Sequence, residues 1–447
     1  MTQVLVLGSH IQGLIAAALF ACRGMQVKIV DFPDVQKVND YFHAPFSLSQ
    51  YIIDELGLEE HGLELPKEKL NNPFKKLPFY NGLKTIIEIF QSLEQSRPDY
   101  KEKAWRDAWG TFEIGRILSG YDENIQKLFA QSSTLSLVDL VAASELDDAT
   151  QAEIIAICTL GAKTEPDAPG SAASILSGMA VFEQRDCVCF YGTTSNLYES
   201  LVQACMSAGV NIITEQHIEI ITTEGKDVAS VTLNGGEILT ADHYVLDFDP
   251  VLLFENYLND YSILPAFKNR IIPKQNVKEC INAKIILKES VENLNSATIV
   301  APSVNNVISA RSDMKKDGGA QSPILSIVPA DDNNTLNVVA QYFDPAVESS
   351  DAAKKQAIIN GIEAFHPDIQ NNIDHIDIIP MATQFGQPSF VGTMPLLQLF
   401  KIFFGHHALA YDMPINNLLV CGYGPLCASH HHVHRGGERV ASLLQSF

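Results

Sequence analysis

Four consecutive apolar residues, Val4-Leu-Val-Leu7, run into Gly8-Ser-His-Ile-Gln-Gly13 and an Ala-rich stretch to Cys22, and a second such run, Gln26 to Val30, closes on Asp31. The pattern is strand, glycine turn, helix, strand. A wholly apolar strand is covered on both faces, which places it in a parallel sheet flanked by helices. The 23-residue step from Gly8 to Asp31 matches the length of one crossover unit.

At 447 residues the chain is too long for one core and suits two or three interleaved units. With 46% hydrophobic and 19% charged residues it can bury a large interior, and no long disordered tract is expected. A formal net charge of -22 repels phosphate backbones and anionic lipid headgroups, so no nucleic acid is expected as a partner and no polybasic membrane attachment. Met1 leads straight into Val4 to Leu7 without a cationic leader, and no transmembrane segment of ~18 apolar residues occurs, so a cytoplasmic location is expected. The 8 cysteines show neither a C-x-x-C pair nor a disulfide framework. Cys187 and Cys189 share one face of a predicted strand; a redox pair is one reading, small buried hydrophobes the preferred one.

Farther along, Phe42 to about Glu64 reads as a helix, and Asn71 to Leu160 as mainly helical. Strands return at Val188 to Tyr191, followed by a helix from Ser195 to Ala208 and by Val210–Ile213, Ile218–Ile221 and Val228–Leu233, with a turn at Asn234-Gly-Gly236. A hairpin-like pair ending in Tyr244-Val-Leu-Asp-Phe-Asp-Pro250 is expected to close this region. Asn417 to Val420 supplies one more buried strand before a terminal helix, Glu438 to Gln445. The unit built on β-α-β is therefore expected to be discontinuous.

A dinucleotide site of this type reads G-x-G-x-x-G, with one glycine for the turn, one for backbone approach to the pyrophosphate and one for close packing. Gly8 and Gly13 stand at the first and third places, next to a helix whose amino-terminal amides favour an anion, but His10 holds the middle place. Its ring occupies the space where a diphosphate lies, although a protonated imidazole can also contact phosphate. Asp31 ends the second strand where a ribose acceptor belongs, with a strand-end turn as the plainer reading.

On these residues, together with Pro169-Gly-Ser171, Tyr191-Gly192, Asp249-Pro250, Phe385-Gly-Gln-Pro388, Pro395 to Phe400 and Leu419 to Gly424, the sequence resembles the phytoene-desaturase-like flavoprotein oxidoreductases. The branch it resembles is that of the pyridine nucleotide-disulfide oxidoreductase domain-containing proteins. The resemblance implies an α/β fold: a discontinuous, Rossmann-like FAD domain of glutathione-reductase type with a mixed α+β substrate domain. It implies the first unit from 1–65, 190–265 and 378–447, and the second from 66–189 and 266–377. It also implies FAD as cofactor, contacted by Gly8, Ser9, His10, Gly13, Asp31, Gly422, Tyr423 and Gly424, and hydride transfer from substrate to flavin. No catalytic acid or base is nominated, since such chemistry needs few side chains.

The departures point the other way. The middle glycine is His10, no glycine occurs between Gly24 and Gly57, and the carboxy-terminal glycine turn runs into His430-His-His-Val-His434. All three lie on the expected FAD path, so weak or lost flavin binding is expected. His430, His432 and His434 share one side of an extended segment, but without a Cys or carboxylate cluster they read as a polar loop, and no metal is expected. Pro395 to Phe404 is strongly apolar and fits core, a partner face or a hydrophobic small-molecule site. Two functions follow: an FAD-dependent dehydrogenase or desaturase of a hydrophobic molecule, or a flavin-free pseudoenzyme serving as a binding or scaffold subunit. The second reading admits a homo- or hetero-oligomer, including one with an intact homologue.

Overall fold

The computed structural model describes residues 1–30, 43–66, 71–95, 114–160, 165–183, 186–214, 216–248, 253–258, 280–291, 294, 296–330, 332, 334–343, 350–379, 415–421 and 435–443. The chain begins with β1 (Gln3–Leu7), α1 (Ile11–Cys22), β2 (Gln26–Val30) and β3 (His43–Ser49), then passes through α2 (Tyr80–Gln95), α3 (Glu123–Thr134), α4 (Asp148–Thr159) and α5 (Ser174–Glu183). β4 (Cys187–Thr193), α6 (Ser195–Ser207), β5 (Asn211–Ile213), β6 (Ile218–Glu224), β7 (Asp227–Leu233), β8 (Ile238–Leu239) and β9 (His243–Leu246) follow. After them come β10 (Cys280–Leu287), β11 (Thr298–Val300), α7 (Val304–Asp317), β12 (Leu325–Pro329), β13 (Thr335–Gln341), α8 (Asp351–Glu363), β14 (Ile373–Ile379), β15 (Leu418–Val420) and α9 (Arg435–Leu443).

One sheet has the order β15-β9-β1-β2-β5, and each of its pairs is parallel. β1 sits at its centre, so Val4 to Leu7 are buried on both faces. Each such side chain contributes ~1.5–3 kcal/mol of apolar burial, an upper bound set by an extended reference chain. α1 is buried on nearly all sides because α6 and α9 both pack on it. Its Ala16-Ala-Ala18 run and Gly436-Gly437 of α9 allow that approach; a methyl on Gly437 would come 3.0 Å from Ile15 Cβ. Three separated stretches of sequence thus make one parallel sheet.

The other large sheet, β11-β12-β13-β10-β14, is antiparallel throughout. One face, with Ile285, Leu325, Ile327, Leu336 and Val338, forms a core with Ile358 and Ile362 of α8. The helices α2 to α5 and α7 make another core around Phe74, Leu83, Ile155 and Met179. The starts of α3, α4, α7 and α8 carry local caps: Asp122 accepts from Asn124 and Ile125 amides, Asp147 from Thr150, Ser303 from Asn306 and Ser350 from Ala353. Such caps are worth ~1 kcal/mol each. β6, β7 and β8 form a smaller antiparallel sheet, and the turn after β7 needs Gly236 at φ +81°.

The expected helix over Phe42 to Glu64 is corrected. His43–Ser49 is a strand, antiparallel to β4 with Phe46 opposite Phe190 and Ser47 opposite Cys189, and helix begins only at Gln50. Phe46 and Leu48 enter the core that surrounds β1, and the Phe46 and Phe190 rings stack at 5.1 Å. The partner strand lies far along the chain, so local pattern alone understated it.

Among the described residues no helix is long and apolar enough to cross a membrane.

Candidate functional site

Gly8 leaves β1 at φ +108°, in the left-handed region, and its amide donates to Val30 O at 2.9 Å. On the other side the Asp247 amide donates to Leu7 O at 2.8 Å. The glycine turn is therefore clamped between the ends of β2 and β9, over the gap between β1 and β9 where a ligand of this sheet type would cross. His10 is the residue before α1, with extended backbone at φ -72° and ψ 172° and no side-chain cap of its own.

The cap comes from Asp247. Its carboxylate accepts from the Gly13 amide at 2.9 Å and from the backbone amide of His10, and it lies 3.5 Å from Cys421 Sγ. Where α3, α4, α7 and α8 take a cap from the adjoining residue, α1 takes one from the end of β9. The helix amino terminus thereby receives its acceptor from within the protein. Asp247 is fully buried, and that burial pushes its carboxyl up to about 7, against the lowering effect of its hydrogen bonds.

His10 completes the closure. Its Nδ1 is 2.7 Å from Asp247 O, so this nitrogen carries the proton and donates to the carbonyl. The same nitrogen stands 3.7 Å from Asp247 Oδ2. Ser9 is 1% exposed and His10 6%, so the turn is covered by protein.

The two retained glycines have the same explanation. A methyl on Gly8 would lie 3.0 Å from Asp247 O, and one on Gly13 would overlap the Asp247 carboxylate. Both make room for β9 and its terminal Asp. A dinucleotide diphosphate does not fit this arrangement: the amides of His10 and Gly13 already serve a carboxylate, the His10 ring covers the gap, and an ionised Asp247 would repel the phosphates.

Gly8, Ser9, His10 and Gly13 are thus brought together at the predicted place, though the middle residue closes it. Asp31, Gly422, Tyr423 and Gly424 lie outside the described residues, as do Pro395 to Phe404 and the histidines from His430 to His434. Sequence reasoning missed Asp247, Cys421 and the Gly436-Gly437 pair. The signal for Asp247 was present, a carboxylate directly ending the apolar run Tyr244-Val-Leu246, but its partner amides belong to a distant segment.

In architecture the chain is similar to an oxidoreductase from Methanosarcina mazei, with TM-score 0.55 and 13% identity over 99% of this chain and 100% of that one. The fold is shared along the whole length of both chains. A putrescine oxidase structure with putrescine bound gives TM-score 0.54 at 12% identity over 100% of this chain and 99% of its own. Cyclohexylamine oxidase from Brevibacterium oxydans IH-35A gives 0.50 at 12% over the same shares. No family model and no curated protein matches the sequence. The α/β fold, Rossmann-like around β1 with a mixed α+β part, is shared with these structures over their full length.

Elsewhere, burial pushes the Cys189 thiol up to about 12, with the neighbouring Cys187 adding to it. A thiol so raised is a poor nucleophile, which favours the packing reading of this pair. Among the described residues no group of three His, Cys, Asp or Glu side chains is placed to hold a metal ion.

Proposed function

We propose that this protein keeps the oxidoreductase architecture as a flavin-free binding or scaffold subunit. The observation that carries this reading is the Asp247 carboxylate, which holds the His10 and Gly13 amides where a diphosphate would be held. The partner is a small apolar molecule or a second chain, including an intact homologue. The visible spectrum of the purified protein, before and after incubation with FAD and desalting, tests this directly. A colourless protein that takes up no FAD is expected; a retained flavin spectrum overturns it.

A second reading is an FAD-dependent dehydrogenase or desaturase of the phytoene-desaturase-like kind. It is supported by the full-length match to oxidoreductases and by Gly8 and Gly13 at the start of α1. It requires the Asp247 and His10 contacts to open, which is why it ranks second.

A further inference from the structure

Away from the glycine turn, a cleft of about 580 Å³ lies between α4, the end of α5, the edge strand β11 and the residues after α8. Its size falls within the ~300–1,000 Å³ of small-molecule sites. Ile157, Phe182, Ile299 and Phe365 give it apolar walls, with Thr150 and Asn71 as neutral polar groups. Among its described lining residues the one ionisable side chain is Glu153, on α4.

Glu153 is half-buried, and among the described residues no hydrogen bond or ion pair engages its carboxylate. Lys76 is near enough to favour the ionised form, but its ammonium turns to Thr150 Oγ1 at 3.4 Å. Burial, with nearby Asp147 adding to it, outweighs Lys76 and raises the Glu153 carboxyl. A half-buried carboxylate in a cleft shared with Ile157 and Phe182 gains from a cation seated against it. The outer edge of β11 also faces no partner strand among the described residues, and its backbone runs along the cleft wall.

We propose that this cleft binds a small organic ammonium ion with an aromatic or aliphatic body, the ammonium donating to Glu153 and the body lying between Phe182 and Phe365. The chemistry follows from the lining: one acid selects a cation, aromatic faces favour it over a hydrated metal ion, and a chain charge of -22 raises its local concentration. This site is independent of whether the glycine turn holds a flavin.

Calorimetric titration of the full-length chain with phenethylammonium, and with 2-phenylethanol as a neutral body of similar shape, tests the assignment. Saturable binding of the ammonium is expected, with the alcohol at least ~10-fold weaker, a loss of ~1.4 kcal/mol. Glu153→Gln, nearly isosteric, is expected to weaken the ammonium by a similar factor while leaving the alcohol unchanged. Phe365→Ala, on the rim, is expected to weaken both by a few-fold. No saturable binding of the ammonium, equal binding of the alcohol, or full retention of ammonium binding by a folded Glu153→Gln variant overturns the proposal.

Discussion

Replacing Asp247 with Asn keeps a side-chain oxygen for the Gly13 amide and removes the ionisable group. Burial raises the folded carboxyl from an ordinary 3.8 to about 7. In the interval between these values the unfolded chain releases a proton that the folded chain retains. The contribution of Asp247 to stability is therefore full below about pH 4 and falls by ~1.4 kcal/mol for each pH unit up to about 7. The total is about 4 kcal/mol, an order-of-magnitude figure, and it levels off once the folded carboxyl also ionises. Asp247→Asn lacks this slope. Urea unfolding of both proteins at about pH 5, 6, 7 and 8 is expected to show the variant gaining on the wild type by about 3 kcal/mol up to pH 7, with little further gain. Parallel profiles would refute the reasoning. So would a wild type that gains on the variant as pH rises, since that is the signature of a lowered carboxyl held by a charged His10.

Gly436→Ala would drive a methyl into Cys421 O and Gln12, and is expected to cost ~1–3 kcal/mol and loosen α9 from α1. Gly115→Ala, with open space around it, is expected to be neutral or stabilising by up to ~1 kcal/mol; thermal unfolding of the two variants separates them. Asp122→Ala removes the cap of α3 and is expected to cost ~1 kcal/mol, read by the same measurement. Iodoacetamide labelling near neutral pH, followed by mass spectrometry, is expected to modify exposed Cys22 before Cys189; early labelling of Cys189 contradicts its raised thiol.

The strand-turn-helix-strand of Gln3 to Val30 was legible because it is a local pattern with two strict demands, a double-faced apolar strand and a glycine at positive φ. β15 was legible as an apolar run for the same reason, whereas β9, expected to end a hairpin-like pair, instead lies parallel between β15 and β1. β3 was not: its alternation of Phe46 and Leu48 with small polar residues is short, and Phe190, the ring that completes it, comes after the whole run of helices from α2 to α5. The candidate site divides in the same manner. His10 announced an altered turn, whereas the carboxylate that replaces a ligand there comes from residue 247 and becomes visible only when β9 is laid beside β1. Glu153 was hidden altogether, since an acid on a helix ordinarily faces water and it is distant segments, among them β11, Phe182 and Phe365, that make its surroundings a cleft.

The most direct test of the closed glycine turn is a calorimetric titration of FAD into the wild-type chain at about pH 8, where the carboxyl of Asp247 carries its charge. No saturable heat is expected. One FAD bound per chain, with His10 and Asp247 both present, would contradict the closure.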